Sequence, residues 1–239
     1  DNSNLRTIDD FNCDRASIPH SDILACAPDG NGGVYSSLVR SGALDDMFSR
    51  GIECVDCYSV DNALILPAEP TWIGYCYSSG AECGAKVAKK RDETERVGVF
   101  VESRRCCDQP SQEIASRSVS SVVEYSEMEP SEAARRDTTG ELVFKWANLC
   151  MQYFRVSFLE RAATIMDQQA LYHIARKDIE SIQGIVPGIK LESFIFDIFP
   201  FANKVALFEV VREEEFAPVK VRLDSLKCLP SFLTAIFRI

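Results

Sequence analysis

Two polar stretches carry residue types suited to binding an anionic ligand. Ala27-Pro28-Asp29-Gly30-Asn31-Gly32-Gly33 packs three glycines among Pro, Asp and Asn, and Val60-Asp61-Asn62 puts a carboxylate beside an amide. Glycines between a strand and a helix let the backbone approach a ligand, and free N–H groups at a helix start favour an anion. The same residues also suit a plain glycine turn and an acidic strand end, so the spacing leaves both possibilities open.

The surrounding pattern predicts how these stretches are held. Ile23-Leu24-Ala25-Cys26 reads as a strand before the glycines. Val34 to Arg50 follows as a helix with Val34, Leu38 and Met47 near helical spacing, although Gly42 sits inside it. Gly51 stops it, and Ile52 to Val60 forms a strand that ends at Asp61-Asn62. Strand, loop, helix, strand is a βαβ unit with polar groups at strand ends, where ligands of open α/β sheets bind.

Further along, Pro70 opens a helix from Thr71 to Ser79 that Gly80 terminates. Cys83–Lys89, Val97–Val101 and Ser121–Tyr125 are strand candidates, and residues 102–118 read as a surface insertion. Leu142 to Val156 is apolar with Asn148 set within it, and Ser157 is placed to cap a helix reaching about Met166. Leu191, Phe194, Ile195 and Ile198 fit one helical face that Pro200 ends, and Lys204–Val211 reads as a strand.

The 239 residues, 46% hydrophobic and 26% charged, are long enough to bury about 70% of the extended chain's surface. The net charge of −10 argues against nonspecific nucleic-acid binding. No run approaches 18 apolar residues, so no membrane helix is expected. The first residue is Asp, which points to a removed segment or a longer parent chain. Ten cysteines are scattered, several in apolar runs, and there is one C-x-x-C (Cys54, Cys57) with only two histidines. Buried reduced thiols, suited to a cytoplasmic location, fit better than zinc or disulfides.

Seven stretches together resemble one family. They are the 27–33 loop, 60–62, Gly80-Ala81-Glu82-Cys83-Gly84-Ala85-Lys86, Val122-Val123-Glu124-Tyr125-Ser126-Glu127, Gly188-Ile189-Lys190, Phe194-Ile195-Phe196-Asp197 and Arg212 to Lys220. In this order they resemble eukaryotic UDP-N-acetylglucosamine pyrophosphorylases. The resemblance implies an α/β fold with a doubly wound mixed sheet, GT-A/nucleotidyltransferase-like and incomplete here. It divides the chain into an irregular lead-in (1–21), a partial catalytic domain (22–220) and a divergent tail (221–239).

It also implies uridylyl transfer from UTP to N-acetylglucosamine 1-phosphate with Mg²⁺. Gly30 would approach the nucleotide and Asn31 the sugar. Asp61 would serve the nucleotide and its metal. Glu124 and Asn148 would hold sugar hydroxyls, with Gly98 and Tyr125 shaping the pocket. Lys190 and Lys220 would be the catalytic lysines on the phosphates, Lys190 on the nucleotide and Lys220 on the sugar phosphate.

Departures from the family frame the alternatives. The family's earlier glycine-rich loop and uracil-binding segment precede the point where this chain starts, so a missing N-terminal segment or a partner chain is implied. Ala147 stands where the family usually has Gly before the Asn, which would crowd the sugar, and Trp146 is bulky. The alternatives are a non-catalytic homologue that binds sugar phosphate or assists another chain, and a uridylyltransferase for another hexose 1-phosphate.

Overall fold

Gly42 divides what periodicity presents as one helix. In the computed structural model, which describes residues 30–104, 118–169, 171–181 and 184–219, Gly42 takes φ 72° between α1 (Val34–Arg40) and α2 (Ala43–Ser49). A left-handed residue ends one helix and lets the next start in a new direction. The preceding strand, 23–26, lies outside the described residues, so the βαβ unit cannot be followed from its beginning. The following strand, β1, is Cys54–Tyr58, and Asp61-Asn62 lie just past its end.

The helix opened by proline forms as expected. It is α3, Pro70–Ser78, with Pro70 in its first turn and Gly80 beyond its end at φ 71°. Its N-cap is Glu69, whose carboxylate accepts from Thr71 N (3.0 Å) and Trp72 N (2.9 Å). Strand β2 is Cys83–Lys89, β3 is Val99–Arg104 and β4 is Ser118–Val123. A short helix α4, Pro130–Ala133, precedes β5, Trp146–Arg155.

Helix α5 runs Val156–Gln169, directly off the strand, so Ser157 lies inside its first turn and is not the cap. The Val156 amide is satisfied by the Glu53 carbonyl at 3.0 Å instead. Strands β6 (His173–Ser181) and β7 (Gly184–Glu192) form a hairpin that no helical or strand periodicity singled out. The helix expected over Leu191–Phe201 is absent. Leu191 belongs to β7, turns follow, and Phe199–Phe201 is a single 3-10 turn containing Pro200. Strand β8 (Val205–Glu209) and helix α6 (Arg212–Glu215) complete the described elements.

These residues fall into two compact units, one within Glu53–Phe158 and Phe199–Ile239, the other within Asp1–Ile52 and Leu159–Ile198. The first holds a mixed six-stranded sheet with β5 at its centre. Along one edge β5 pairs antiparallel with β2, which pairs parallel with β8. Along the other edge it pairs first with β3, through Ala147 and Val99, and then with β1, through residues 151–155. Cys150, at φ 55°, marks the change of partner, and the pairing with β2 shifts register there. A bulge bends a strand and re-aims its side chains, which lets one strand serve two neighbours along one edge.

The core of this unit explains the apolar run of β5, which is buried along most of its length. Trp72, fully buried, packs edge-on to Tyr153 with centroids 6.2 Å apart and against Phe208 at 5.6 Å. Phe100, Phe154 and Phe158 pack around Phe199 and one another at 5.7–6.4 Å. Ala147 packs with Ala88, Leu149, Met151 and Val210. Because Ala147 alternates with Asn148 along the strand, its methyl points into this core and does not crowd the Asn148 face.

In the second unit, the glycine loop is clasped to residues 193–195. Gly30 has φ 101°, and a Cβ there would lie 2.1 Å from the Ser193 carbonyl oxygen. The Gly32 N–H donates to that carbonyl at 2.9 Å, and the Asn31 Oδ1 accepts from Ile195 N at 2.9 Å. The buried Tyr35 hydroxyl donates to the Ile195 carbonyl.

Among the described residues no helix is long and apolar enough to cross a membrane. Cys54, Cys57, Cys76, Cys83 and Cys150 are free thiols, and burial pushes the Cys76 thiol up to about 12.

Two outcomes are expected. Trp72→Ala should cost about 3–5 kcal/mol in denaturant unfolding, because the lost ring leaves a cavity between α3 and the sheet. Trp72→Phe should lose less, and equal losses would show that the cavity does not matter. Iodoacetamide at pH 7.5 should leave Cys76 unmodified in the folded protein and label it in denaturant, since the thiolate is the reactive form. Peptide mass mapping would read this.

Candidate functional site

Gly98, Glu124 and Asn148 are the predicted site residues that the sheet brings together. Val99 pairs with both Val123 and Ala147, so Gly98 lies between the end of β4 and the start of β5. The Asn148 N–H donates to the Gly98 carbonyl at 2.8 Å. A Cβ on Gly98 would sit 2.7 Å from the Glu124 Oε1. The three therefore share one face, and glycine is the residue that leaves room for the carboxylate.

Asn148 is 4% exposed, and its amide is divided between two tasks. Its Oδ1 accepts from Cys150 N (3.2 Å) and Gln152 Nε2 (3.4 Å), holding the bulge of β5. Its Nδ2 donates to no described residue. A buried amide normally finds partners for its donors, so this group is available to an acceptor on a ligand. Glu124, half-buried at the end of β4, adds two acceptor oxygens. An acceptor carboxylate beside a donor amide suits a ring bearing several hydroxyls.

Tyr125 is placed differently. Half of it is exposed, and it lines a cavity of about 320 Å³ with Lys90, Arg96, Val97, Val99 and Val123. Val97, Val99 and Val123 alternate with Gly98 and Val122, so this cavity lies on the other face of the β3–β4 ribbon.

Asp61 follows β1 in the same unit. Its backbone carbonyl accepts from Val219 N at 2.8 Å, while its half-buried carboxylate makes no hydrogen bond or ion pair among the described residues. No group of three potential metal-ligating His, Cys, Asp or Glu occurs among the described residues. That donor set does not build an all-protein cage. It fits Mg²⁺, which is commonly held by one or two carboxylates plus substrate phosphates.

Gly30, Asn31 and Lys190 belong to the other unit. The close approach that demands glycine at position 30 is to Ser193 of the chain itself. Asn31 spends its Oδ1 on Ile195 and keeps its Nδ2 free of described partners. Lys190 lies on β7, half-buried, with Nζ 3.1 Å from the Glu192 Oε1. Nearby, the Asp197 carboxylate bridges His173 Nε2 (2.8 Å) and Phe194 N (2.7 Å). Lys220 lies outside the described residues.

Sequence reasoning passed over Lys86, which is 1% exposed within β2 and paired with Glu215. The visible signal was a charge inside the apolar run Cys83–Lys89. It also passed over the side chain of Asn62, 3% exposed, which bonds to Glu215 and Ala217.

Residues 11–234 match the UTP–glucose-1-phosphate uridylyltransferase family, including 11–21 and 221–234, which the motifs do not reach. The chain is 50% identical to UDP-N-acetylglucosamine diphosphorylase 1 of Arabidopsis thaliana across 82% of its length, spanning 37% of that protein. It is 42% identical to UDP-N-acetylhexosamine pyrophosphorylase-like protein 1 of Xenopus tropicalis, over 82% of the chain and 38% of that protein. The crystal structure of the uridine diphosphate N-acetylglucosamine pyrophosphorylase of Trypanosoma brucei superposes with a TM-score of 0.74. The identity there is 32%, over 89% of this chain and 42% of that one. With its mixed sheet, its motif order and a family match that leaves out only the first ten and last five residues, the chain belongs to the UTP–glucose-1-phosphate uridylyltransferase family.

Proposed function

We propose that the protein carrying this chain transfers a uridylyl group from UTP to N-acetylglucosamine 1-phosphate, giving UDP-N-acetylglucosamine and pyrophosphate. The observation that carries this reading is the 50% identity to a UDP-N-acetylglucosamine diphosphorylase across 82% of the chain. The chain spans well under half of that relative, so the activity belongs to the protein that contains it.

In this reading an oxygen of the sugar phosphate attacks the α-phosphorus of UTP in line. The new bond is oxygen to α-phosphorus, and the bond to the β-phosphate oxygen breaks with pyrophosphate leaving. Such chemistry asks for positioning and charge neutralisation and requires no protein nucleophile. Glu124 accepts hydrogen bonds from sugar hydroxyls, Asn148 Nδ2 donates to a sugar oxygen, and Gly98 leaves room for the Glu124 carboxylate. Tyr125, whose cavity lies on the other face of the ribbon, takes no part in this pocket. Gly30 approaches the nucleotide, and Asn31 offers its Nδ2 to the sugar. Lys190 and Lys220 pair with phosphates, Lys190 exchanging Glu192 for the ligand. Asp61 holds the nucleotide's Mg²⁺, which when bound draws charge from the phosphate oxygens. The free thiols support a reducing, cytoplasmic location.

A second reading, another hexosamine 1-phosphate as acceptor, is favoured by the match to a relative named for N-acetylhexosamine.

The test uses the full-length protein with UTP and the two sugar phosphates, following pyrophosphate release. N-acetylglucosamine 1-phosphate should give the higher kcat/KM. Preference for N-acetylgalactosamine 1-phosphate would move the assignment to the second reading. No pyrophosphate from either would leave a non-catalytic homologue. Glu124→Ala and Asn148→Ala should raise the KM for the sugar phosphate ten-fold or more, on the order of one lost hydrogen bond to a charged or buried group. The KM for UTP should change far less, and equal losses for both would count against the pocket. Gly98→Ala should act in the same direction, because its methyl would displace the Glu124 carboxylate.

A further inference from the structure

We propose that Asn62 is a positioning residue for Asp61, and that the buried Lys86–Glu215 pair secures the segment Asn62 grips. The inference rests on the reading of Asp61 as the carboxylate that serves the metal-bound nucleotide.

Residues 61–63 are irregular backbone just past β1, and nothing in their own sequence would hold a carboxylate still. They are fixed by residues 215–219. The Asn62 Nδ2 donates to the Glu215 carbonyl at 2.7 Å, and its Oδ1 accepts from Ala217 N at 2.8 Å and Leu64 N at 3.3 Å. Ala63 N donates to the Ala217 carbonyl at 3.1 Å, and Val219 N donates to the Asp61 carbonyl at 2.8 Å. Asn62 and Pro218 form an antiparallel bridge. The buried amide is thus the centre of a short zipper, and the Asp61 backbone is one of its links.

The zipper's far side is anchored in the sheet. Lys86 stands in β2 with its side chain 2% exposed, bonded to the Glu215 carboxylate and 3.7 Å from the Glu69 Oε2. Glu69 also caps α3. A buried ammonium is costly to desolvate, and an apolar replacement serves stability as well or better. Its geometric effect is to tie α6, the sheet and the start of α3 together behind the zipper. A catalytic group displaced by about 1 Å can lose on the order of 100-fold in rate, so such fixing has a function.

The test measures Mn²⁺, as a spin probe for the divalent site, binding to the full-length protein with saturating UTP by electron paramagnetic resonance. UTP affinity without metal and the thermal midpoint are measured beside it. Asn62→Ala should weaken Mn²⁺ binding ten-fold or more, with metal-free UTP affinity within about two-fold. Glu215→Gln, which keeps the side chain's length but replaces the charged bond to Lys86 with a weaker neutral one and so loosens the anchor, should weaken it about three-fold. Should Asn62→Ala fail to fold, Glu215→Gln decides alone. Unchanged Mn²⁺ binding in the folded variants, whatever the thermal midpoint, would overturn the inference. Asp61→Asn separates the two levels. If it leaves Mn²⁺ binding intact, the assignment of Asp61 fails. If it weakens binding while Asn62→Ala does not, only the positioning role fails.

Discussion

Strand β5 has to satisfy hydrogen bonds on both edges while burying side chains along most of its length, and the larger unit follows from that demand. One edge is filled by β2 alone. The other is shared by β3 and β1, which meet it at different points. A regular strand cannot turn between two partners without a break in its ladder. Cys150 supplies the break by taking a left-handed conformation that non-glycine residues rarely adopt. Asn148 offsets part of that cost by accepting the Cys150 amide. Residues before the bulge align with Gly98, and residues after it run alongside β1, which leads to Asp61.

The predicted polar residues consequently hold the fold together while keeping one polar end unspent. Asn148 spends its oxygen on the bulge and keeps its nitrogen. Asn31 spends its oxygen on Ile195 and keeps its nitrogen in the same way. An amide has both a donor and an acceptor end, so one end can be locked to the chain while the other stays presented. A serine or aspartate at either position would not divide the work in this way. The glycines follow a related logic. Gly30 and Gly32 are demanded by the approach of Ser193, and Gly98 by the Glu124 carboxylate.

Where local chemistry decides structure, the sequence was readable. Pro70 and Gly80 bracket α3, and Cys83–Lys89 is β2 to the residue. Distant partners account for the failures. Leu191, Phe194, Ile195 and Ile198 have helical spacing, yet Leu191 pairs with Ile174 across the hairpin and Asp197 caps the Phe194 amide in a turn. The half-buried alternating face of β7 carries Val186, Gly188, Lys190 and Glu192, not a row of apolar side chains. Ile174, Ile185, Ile189 and Leu191 are all at least half exposed, so the usual strand signal had no core to report. The motifs carried Gly98, Glu124 and Asn148 to one face. They contain Asn62 and Lys86 but give neither a role, because those roles exist only once residues 215–219 are laid beside residues 61–63.

Lys190 shows how a residue can be engaged in the chain and still meet a ligand. Its ammonium faces the Glu192 carboxylate, and both side chains retain some exposure. An ion pair that water can still reach is weaker than a fully enclosed one, because water competes for both charges. A phosphate presents more negative charge than a carboxylate and several acceptor oxygens, so it outcompetes a partner held only at that strength. In the proposed role Glu192 would hold the place of that phosphate until the ligand arrives. The buried Lys86 lies at the other extreme. Its own side chain is almost dry at 2% exposed, so no anion from solvent can reach the ammonium without first opening the core. Two lysines of one chain are thus sorted by burial, one for exchange and one for permanent attachment.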